Sequence, residues 1–142
     1  MTTIVLNTAT GAVTEYDWAF QSLSAAHAAD AGGLYTLGGD DDAGAPIASR
    51  MMSGKPGGEK LLNPGDVYLA LHGEGGGFLI VQGVEQEWEY PVQARASGVS
   101  RAKPGRGIRE SRLALGYRNA DGANFRLDRL DAEIYESQSR RA

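Results

Sequence analysis

The sequence contains no cysteine and has only five prolines and two histidines among its 142 residues. Without cysteine the chain has no disulfide, no thiolate nucleophile and no cysteine metal site, so either redox compartment is compatible with it. The two histidines, His27 and His72, lie 45 positions apart and match no local spacing of metal ligands. We therefore expect neither a metal nor another cofactor.

A long apolar run is also missing. The first apolar stretch, Ile4 to Leu6, is too short for a signal peptide or a membrane span, and no positively charged segment precedes it. We therefore expect a soluble protein that is made in a cytoplasm and has no membrane partner.

Motifs that carry catalysis are missing as well. No serine lies in a Gly-x-Ser-x-Gly elbow. The stretch "HGEGGGF" lacks the Lys-Ser/Thr pair of a phosphate-binding loop, and a strand-like segment follows it rather than a helix. The consecutive acids of "GGDDDAG" alternate in direction and lack the spacing of a calcium loop. These absences predict a protein that is not an enzyme.

Glycine is abundant, with 20 residues and no periodic spacing, which indicates many turns rather than a collagen-like or disordered chain. The length fits one domain, and no stretch has linker composition. We predict a single β-domain over residues 1–142, with about eight to ten strands and a flexible tail at residues 137–142. The expected fold is all-β: an antiparallel β-sandwich or flattened barrel with Gly-rich turns.

The first half of the chain supplies short strand signals. "TIVLNTATGAVTEYDW" predicts a hairpin around a turn. "SLSAAHAADAGG" fits either a short capped helix or a strand of small residues, and its strand-like neighbours favour the strand. "GLYTLGG" and "IASRMMSGK" each predict a strand, whereas "PGGEKLLNPGD" is interpreted as a long connection that ends at Asp66.

The central third has the clearest periodicity. "VYLALHG" alternates, "GFLIVQG" is apolar on both faces, and "EQEWEYPV" alternates aromatic residues with glutamates. Pro91 predicts an edge position for this third strand, because proline cannot donate a hydrogen bond to a neighbouring strand. The glutamates fit either a cation site or, as we favour, a solvated face that discourages edge pairing; they are Glu85, Glu87 and Glu89.

The last third predicts two more strands. Leu113, Leu115 and Tyr117 share a face, and "RNADGAN" has the turn chemistry of a hairpin whose return strand begins at Phe125. The apolar positions then change from odd to even numbers. A one-residue bulge near Asp128 would explain this change, because strand side chains repeat every two residues.

Charge is distributed unevenly: residues 1–94 carry 3 basic and 12 acidic side chains, and residues 95–142 carry 11 basic and 6 acidic ones. Such polarity suits a subunit that meets complementary patches on other subunits. We predict that cations of the Arg-rich segment 95–118 contact acids of a neighbouring subunit. The predicted contact residues are Arg101, Lys103, Arg106, Arg109, Arg112, Asp40, Asp41 and Asp42.

Several segments carry a resemblance to a known class of proteins. The most specific parts are the block "GLYTLGGDDDAGAPI" and "GRG-R" followed by "NADGANFRLD". In chain order, the segments are "TIVLNTATGAVTEYDWAFQSL", "GLYTLGGDDDAGAPI", "EYPVQAR" and "GRGIRESRLALGYRNADGANFRLDRLDAEIYESQSRR". In this order they resemble small virion structural proteins encoded in the tail and baseplate gene region of long-tailed, siphovirus-like bacteriophages. The resemblance covers most of the chain, from Thr3 to Arg141.

The resemblance implies a non-enzymatic structural component of a phage tail, near the tail tip or baseplate. Its partners would be copies of itself and other tail or baseplate proteins. The protein would be located in the virion tail, and in the host cytoplasm before assembly. A compact β-domain can form symmetric homo-oligomers through charged loops and sheet edges.

Two other functions stay open at this point. The first is a carbohydrate- or receptor-binding β-sandwich module of the tail, with candidate aromatic residues at Trp18, Tyr35, Tyr68, Trp88 and Tyr90. The second is nucleic-acid binding through the Arg-rich segment 95–118. The acidic net charge of −4 and the scarcity of interleaved aromatic residues oppose nucleic acid as a partner.

Overall fold

A computed structural model of the chain describes residues 3–11, 13–16, 18–39, 41–42 and 44–137. Every regular element in these ranges is a β-strand, and all the strand pairs are antiparallel. The predicted all-β, antiparallel class is therefore confirmed. Within the same ranges, the structure contains no helix that could cross a membrane.

The contacts divide the chain into two compact units, Met1–Gly39 and Asp40–Ala142. The single domain predicted over residues 1–142 stays a prediction. The first unit holds a hairpin and a three-stranded sheet, formed by β1 (Thr3–Leu6), β2 (Val13–Tyr16), β3 (Ser22–Leu23), β4 (His27–Asp30) and β5 (Gly33–Thr36).

Two sequence predictions for the first unit are confirmed. The predicted hairpin is β1 paired with β2, from Thr3 opposite Tyr16 to Leu6 opposite Val13. The ambiguous "SLSAAHAADAGG" segment forms β3 and β4, so the favoured strand interpretation is correct. An aromatic group accompanies these strands, with the Trp18 ring 5.5 Å from Phe20 and 5.6 Å from Tyr35, between ring centroids.

The second unit contains a small hairpin and two four-stranded sheets. Its strands are β6 (Asp41–Asp42), β7 (Ala45–Pro46), β8 (Arg50–Met52), β9 (Gly57–Gly73), β10 (Gly76–Gln82), β11 (Glu87–Gln93), β12 (Val99–Ala102), β13 (Glu110–Arg112), β14 (Ala114–Asn119) and β15 (Phe125–Ser137). One sheet has the order β11-β10-β14-β8; in the other, β9 pairs with β12 and β13 and also with β15.

The core of this unit is formed by side chains from both sheets, as in a β-sandwich. Alternate residues of β9 are fully buried, which confirms the predicted alternation: Val67, Leu69 and Leu71. Leu79 and Val81 of β10 and Tyr117 of β14 belong to the same cluster. The described residues form open sheets rather than a closed barrel, so the sandwich alternative fits and the flattened barrel does not.

Pro91 lies in β11, which is an edge strand of its sheet, as predicted. Glu87 and Glu89 on this strand each accept a hydrogen bond from an arginine on a more distant strand of the same sheet, Arg50 of β8 and Arg118 of β14 respectively. The sequence interpretation that placed Glu85 on the same strand is wrong, because β11 begins at Glu87 and Glu85 lies in the turn before it.

The segment "PGGEKLLNPGD" is not the connection that the sequence predicted. From Gly57 onwards it forms the first part of β9, a strand of 17 residues. The segment is strand because it has partners on both sides: Leu62 lies opposite Glu110 of β13 and opposite Glu136 of β15. Pairing with distant strands therefore overrides the local turn signals of glycine and proline.

The turn in "RNADGAN" is confirmed, but the hairpin predicted around it is wrong. Asp121 and Gly122 have φ angles of 49° and 72°, as an Asp-Gly turn requires. However, β14 pairs with β10 and β8, whereas β15 crosses to the other sheet, where Phe125 lies opposite Gly73 of β9. The turn thus joins two sheets instead of two neighbouring strands.

The bulge predicted near Asp128 is present. The register of β15 against β9 shifts between Leu127 and Arg129, and a second shift follows between Ala132 and Ile134. Ser137 is the last residue of β15 and pairs with Leu61, and the flexible tail predicted at residues 137–142 stays a prediction. Residues 138–142 lie outside the described residues.

Candidate functional site

The middle of the Arg-rich segment, residues 103–109, forms the connection between β12 and β13, and its apolar residues hold it against the core. Pro104 and Ile108 are buried, and Ile108 is only 4% exposed. The backbone N–H of Gly105 donates a hydrogen bond of 2.9 Å to the Tyr90 hydroxyl. The cations of this connection are exposed; they are Lys103, Arg106 and Arg109.

Three predicted contact residues line one cleft of about 390 Å³ beside this connection: Arg101, Lys103 and Arg106. We call it the basic cleft. Its other walls come from the middle of β9, the second half of β15 and the connection itself, and they are Asn63, Pro64, Gly65, Asp66, Glu133, Tyr135 and Pro104. Three cations and two carboxylates therefore face the same space.

Arg101 is neutralised within the chain. Its Nη2 donates to Oδ2 of Asp66, and its guanidinium lies 5.8 Å from the centroid of the Tyr68 ring. The hydrogen bond from Arg101 lowers the pKa of Asp66, and the charges of Arg101 and Lys103 lower it further. Arg101 therefore lines the cleft, but its positive charge is already paired with Asp66.

Lys103 and Arg106 carry the unmatched charge of the cleft. Both are exposed, and neither forms an ion pair within the described part of the chain. The Asn63 amide donates to the backbone carbonyl of Arg106 at 3.3 Å, which ties the connection to β9. These two cations are available to an anionic group from outside the chain.

The remaining polar groups of the cleft are paired with each other. The Tyr135 hydroxyl donates a hydrogen bond of 2.7 Å to Oε2 of Glu133. This bond to the neutral phenol raises the pKa of Tyr135, and the negative charge of Glu133 acts in the same direction. Tyr135 itself is 57% exposed, so its ring forms part of the outer surface.

Arg109 and Arg112 are exposed but do not line the basic cleft. Arg112 lies in β13 opposite Gly57 at the start of β9. Like Lys103 and Arg106, they form no ion pair with another described residue. Their predicted contact with a neighbouring subunit stays a prediction.

The predicted acidic contacts lie on the β6–β7 hairpin. Asp41 and Asp42 are both exposed, and Oδ1 of Asp41 accepts a hydrogen bond of 3.1 Å from the Gly44 N–H. Asp40 lies outside the described residues. We call the segment from Asp41 to Pro46 the acidic hairpin.

Asn119 fixes the chain that follows the acidic hairpin. Its amide donates to the carbonyls of Ile47 and Ala123, at 2.8 and 3.2 Å, and its side-chain oxygen accepts from the Ser49 N–H at 2.8 Å. Asn119 is only 8% exposed. The chain that leaves the acidic hairpin is therefore anchored at the turn between β14 and β15.

Other candidate sites from the sequence do not assemble a ligand set in the described residues. No group of three or more His, Asp or Glu side chains there is placed to hold a metal ion. His72 lies 3.4 Å from Asp128 and beside an open cleft of about 500 Å³ whose walls also include Glu74 and Arg126. His27 is exposed on β4.

Sequence reasoning did not find the cleft residues outside the Arg-rich segment. Asn63 and Asp66 were assigned to a connection, so no strand placed them beside Arg101, which follows Asp66 by 35 positions. Tyr135 and Glu133 belong to a strand whose partner was assigned incorrectly. The alternation of residues 125–136 indicated a strand. Only the pairing of this strand with β9 places Glu133 and Tyr135 at the cleft.

Comparisons with known protein families, with curated proteins and with solved structures find no match to this chain.

Proposed function

We propose that this protein is a non-enzymatic structural component of a bacteriophage tail, near the tail tip or baseplate, where its copies assemble symmetrically with one another and with other tail proteins. The tail assignment is supported by the resemblance of its sequence segments to small virion proteins. Its location is the virion tail and, before assembly, the host cytoplasm.

The assembly part of the proposal rests on the distribution of the cations that form no ion pair in the described chain. The described residues include 12 lysines and arginines, of which six form ion pairs. Four of the six unpaired cations lie close together in the sequence: Lys103, Arg106, Arg109 and Arg112. Clustered, exposed and unmatched charge on an anchored connection suits recognition of an oppositely charged surface.

An open sheet edge supports the same proposal. β15 has 13 residues and pairs with β9 alone among the described strands, so its other edge is open. The other outer strands are shorter or, like β11, contain proline. An open edge can accept a neighbouring chain, while the bulges and charges of β15 limit indiscriminate pairing.

The direct test is quantitative mass spectrometry of purified particles of the phage that encodes the chain. We expect the protein in the particles at a fixed copy number that matches the rotational symmetry of the tail. Its absence from intact particles would overturn the tail assignment. A matched control is a non-structural protein of the same phage, which washing should remove.

Carbohydrate binding is the second candidate, and the aromatic group of the first unit favours it. Trp18 and Tyr35 are half-buried and adjacent, whereas Trp88 and Tyr90 pack against the core of the second unit. Exposed aromatic faces stack on sugar rings. On a glycan array, Trp18→Ala should abolish a sugar signal that Trp88→Ala retains; absence of any signal in the unmodified protein would remove this candidate.

Nucleic acid is the third candidate, because the unpaired cations could also contact phosphates. Tyr117, which interrupts the Arg-rich segment 95–118, is 1% exposed, so it offers no surface on which a base could stack. Retention on immobilised DNA that weakens steeply with salt would support this candidate. A protein that is not retained at low salt would exclude it.

A further inference from the structure

The basic cleft lies beside the middle of β9, whereas the acidic hairpin lies near the end of β9 at Gly73. The cleft lies beside Gly65 of β9, and the opposite end of β9 is Gly73, eight positions further along. At about 3.3 Å per residue, the two ends of this stretch are about 26 Å apart. A side chain cannot span that distance.

The acidic hairpin belongs to the Gly73 end. Gly73 lies opposite Phe125, which follows the turn between β14 and β15. Pro46 packs against Gly122 in this turn, and Asn119 holds the neighbouring Ile47. Asp41 is directly opposite Pro46 in the hairpin, so its Cα is about 5 Å from Pro46. The acidic hairpin is therefore anchored at the Gly73 end of β9, whereas the basic cleft lies beside Gly65.

We infer that the acidic hairpin of one copy occupies the basic cleft of the next copy, in a head-to-tail contact between Asp41 and Asp42 and the cations Lys103 and Arg106. The inference rests on the proposed assembly of symmetric copies and specifies which surfaces meet. The charges are complementary, since Asp41 and Asp42 are exposed carboxylates and Lys103 and Arg106 are cations without an ion-pair partner in the described chain.

This geometry determines the kind of assembly. A head-to-tail contact joins two different patches, so each copy carries one donor surface and one acceptor surface. Repetition of the contact forms a ring if the rotation closes and a filament if it does not. A two-fold dimer would instead require each copy to place its hairpin in the other's cleft at the same time.

Charge reversal of each surface separately tests the contact in the full chain. The cleft variant is Lys103→Glu with Arg106→Glu, and the hairpin variant is Asp41→Lys with Asp42→Lys. We expect each variant to weaken self-association by about tenfold or more in sedimentation velocity at low salt. Arg95→Glu is the matched control, because Arg95 is exposed, unpaired and outside the basic cleft; it should associate like the unmodified protein.

Mixing the two variants distinguishes this arrangement from other contacts. The intact hairpin of the cleft variant matches the intact cleft of the hairpin variant, and the reversed hairpin matches the reversed cleft, so an equimolar mixture should recover association with the two variants alternating. A chain that carries all four substitutions should recover self-association, which also shows that the substitutions leave the fold intact.

The head-to-tail contact and the tail assignment can be overturned independently of each other. An unmodified protein that stays monomeric at all concentrations, or variants that associate like the unmodified protein, would overturn the head-to-tail contact even if virions contain the protein. Conversely, recovered association in the mixture together with absence from virions would keep the contact and overturn the tail assignment.

Discussion

Arg118 and Glu89 form a two-point ion pair that spans the strand between them. Nε and Nη2 of Arg118 on β14 donate to the two carboxylate oxygens of Glu89 on β11, each at 2.6 Å. The guanidinium also lies 4.1 Å from the centroid of the Phe78 ring on the intervening strand β10. This arrangement connects three strands on the outer face of their sheet.

The hydrogen bond from Arg118 lowers the pKa of Glu89 below its ordinary value. A carboxyl group whose pKa is lowered by folding adds stability above its unfolded pKa, about 4.3, and loses it as the pH falls through the lower folded-state pKa. We therefore expect Glu89→Gln to lower the free energy of unfolding in urea at neutral pH.

The difference between Glu89→Gln and the unmodified protein should disappear in acid, once Glu89 is protonated in both states. Glu85→Gln provides the control, because Glu85 is exposed and has no ion pair in the described chain. An equal loss of stability for both variants at neutral pH would contradict the assigned role of the pair.

Asn119 should contribute more to stability than an exposed amide. Asn119→Ala removes three hydrogen bonds in a nearly buried site, so we expect a loss of about 1–3 kcal/mol in the free energy of unfolding. Hydrogen exchange should also accelerate at Ser49, whose N–H loses its side-chain acceptor. Asn63→Ala removes a single bond of 3.3 Å and should cost less; equal effects would argue against the role of Asn119.

Gly116 should tolerate no side chain. A Cβ at this position would overlap the Met51 carbonyl and the Met52 sulfur on β8. Gly116→Ala should therefore separate β14 from β8 and destabilise the protein by about 1–3 kcal/mol, measured by urea unfolding. Gly107→Ala, where a Cβ meets nothing within 4 Å, should leave stability nearly unchanged.

The first bulge in β15 predicts the effect of a deletion. Leu127 lies opposite Leu71 and Arg129 opposite Ala70, so Asp128 is the extra residue. Its deletion keeps the later apolar residues on the core side, and stability should stay within about 1 kcal/mol of the unmodified protein.

Deletion of Asp131 from the same strand is the control for the bulge. It would move Glu133 into the place of Ala132, opposite Val67 in the core. The cost should be about 2 kcal/mol or more, because a charged group would face apolar side chains. If both deletions cost the same in urea unfolding, Asp128 is not the extra residue.

Much of the fold could be predicted from the sequence where the signal was local. Alternation identified the buried residues of β9, Pro91 indicated an edge, and a change of phase located the bulge at Asp128. Each of these features depends on neighbouring residues and on the two-residue period of a strand.

The errors concern partners that are distant in the sequence. The turn at Asp121 and Gly122 has the conformation its residues require, but nothing local determines which sheet the next strand joins. The first part of β9 contains glycine and proline and is a strand because β13 and β15 pair with it. The Asp66–Arg101 pair was missed for the same reason.

The order of the strands has a consequence for synthesis on the ribosome. β9 needs β15 as a neighbour, and Leu61 of β9 pairs with Ser137, which is made 76 positions later. Until β15 has emerged, the central strand of this sheet keeps an unpaired edge in a partly made chain. Nascent copies on neighbouring ribosomes could pair along that edge, so the late arrival of β15 sets the interval during which the chain is most exposed to misassembly.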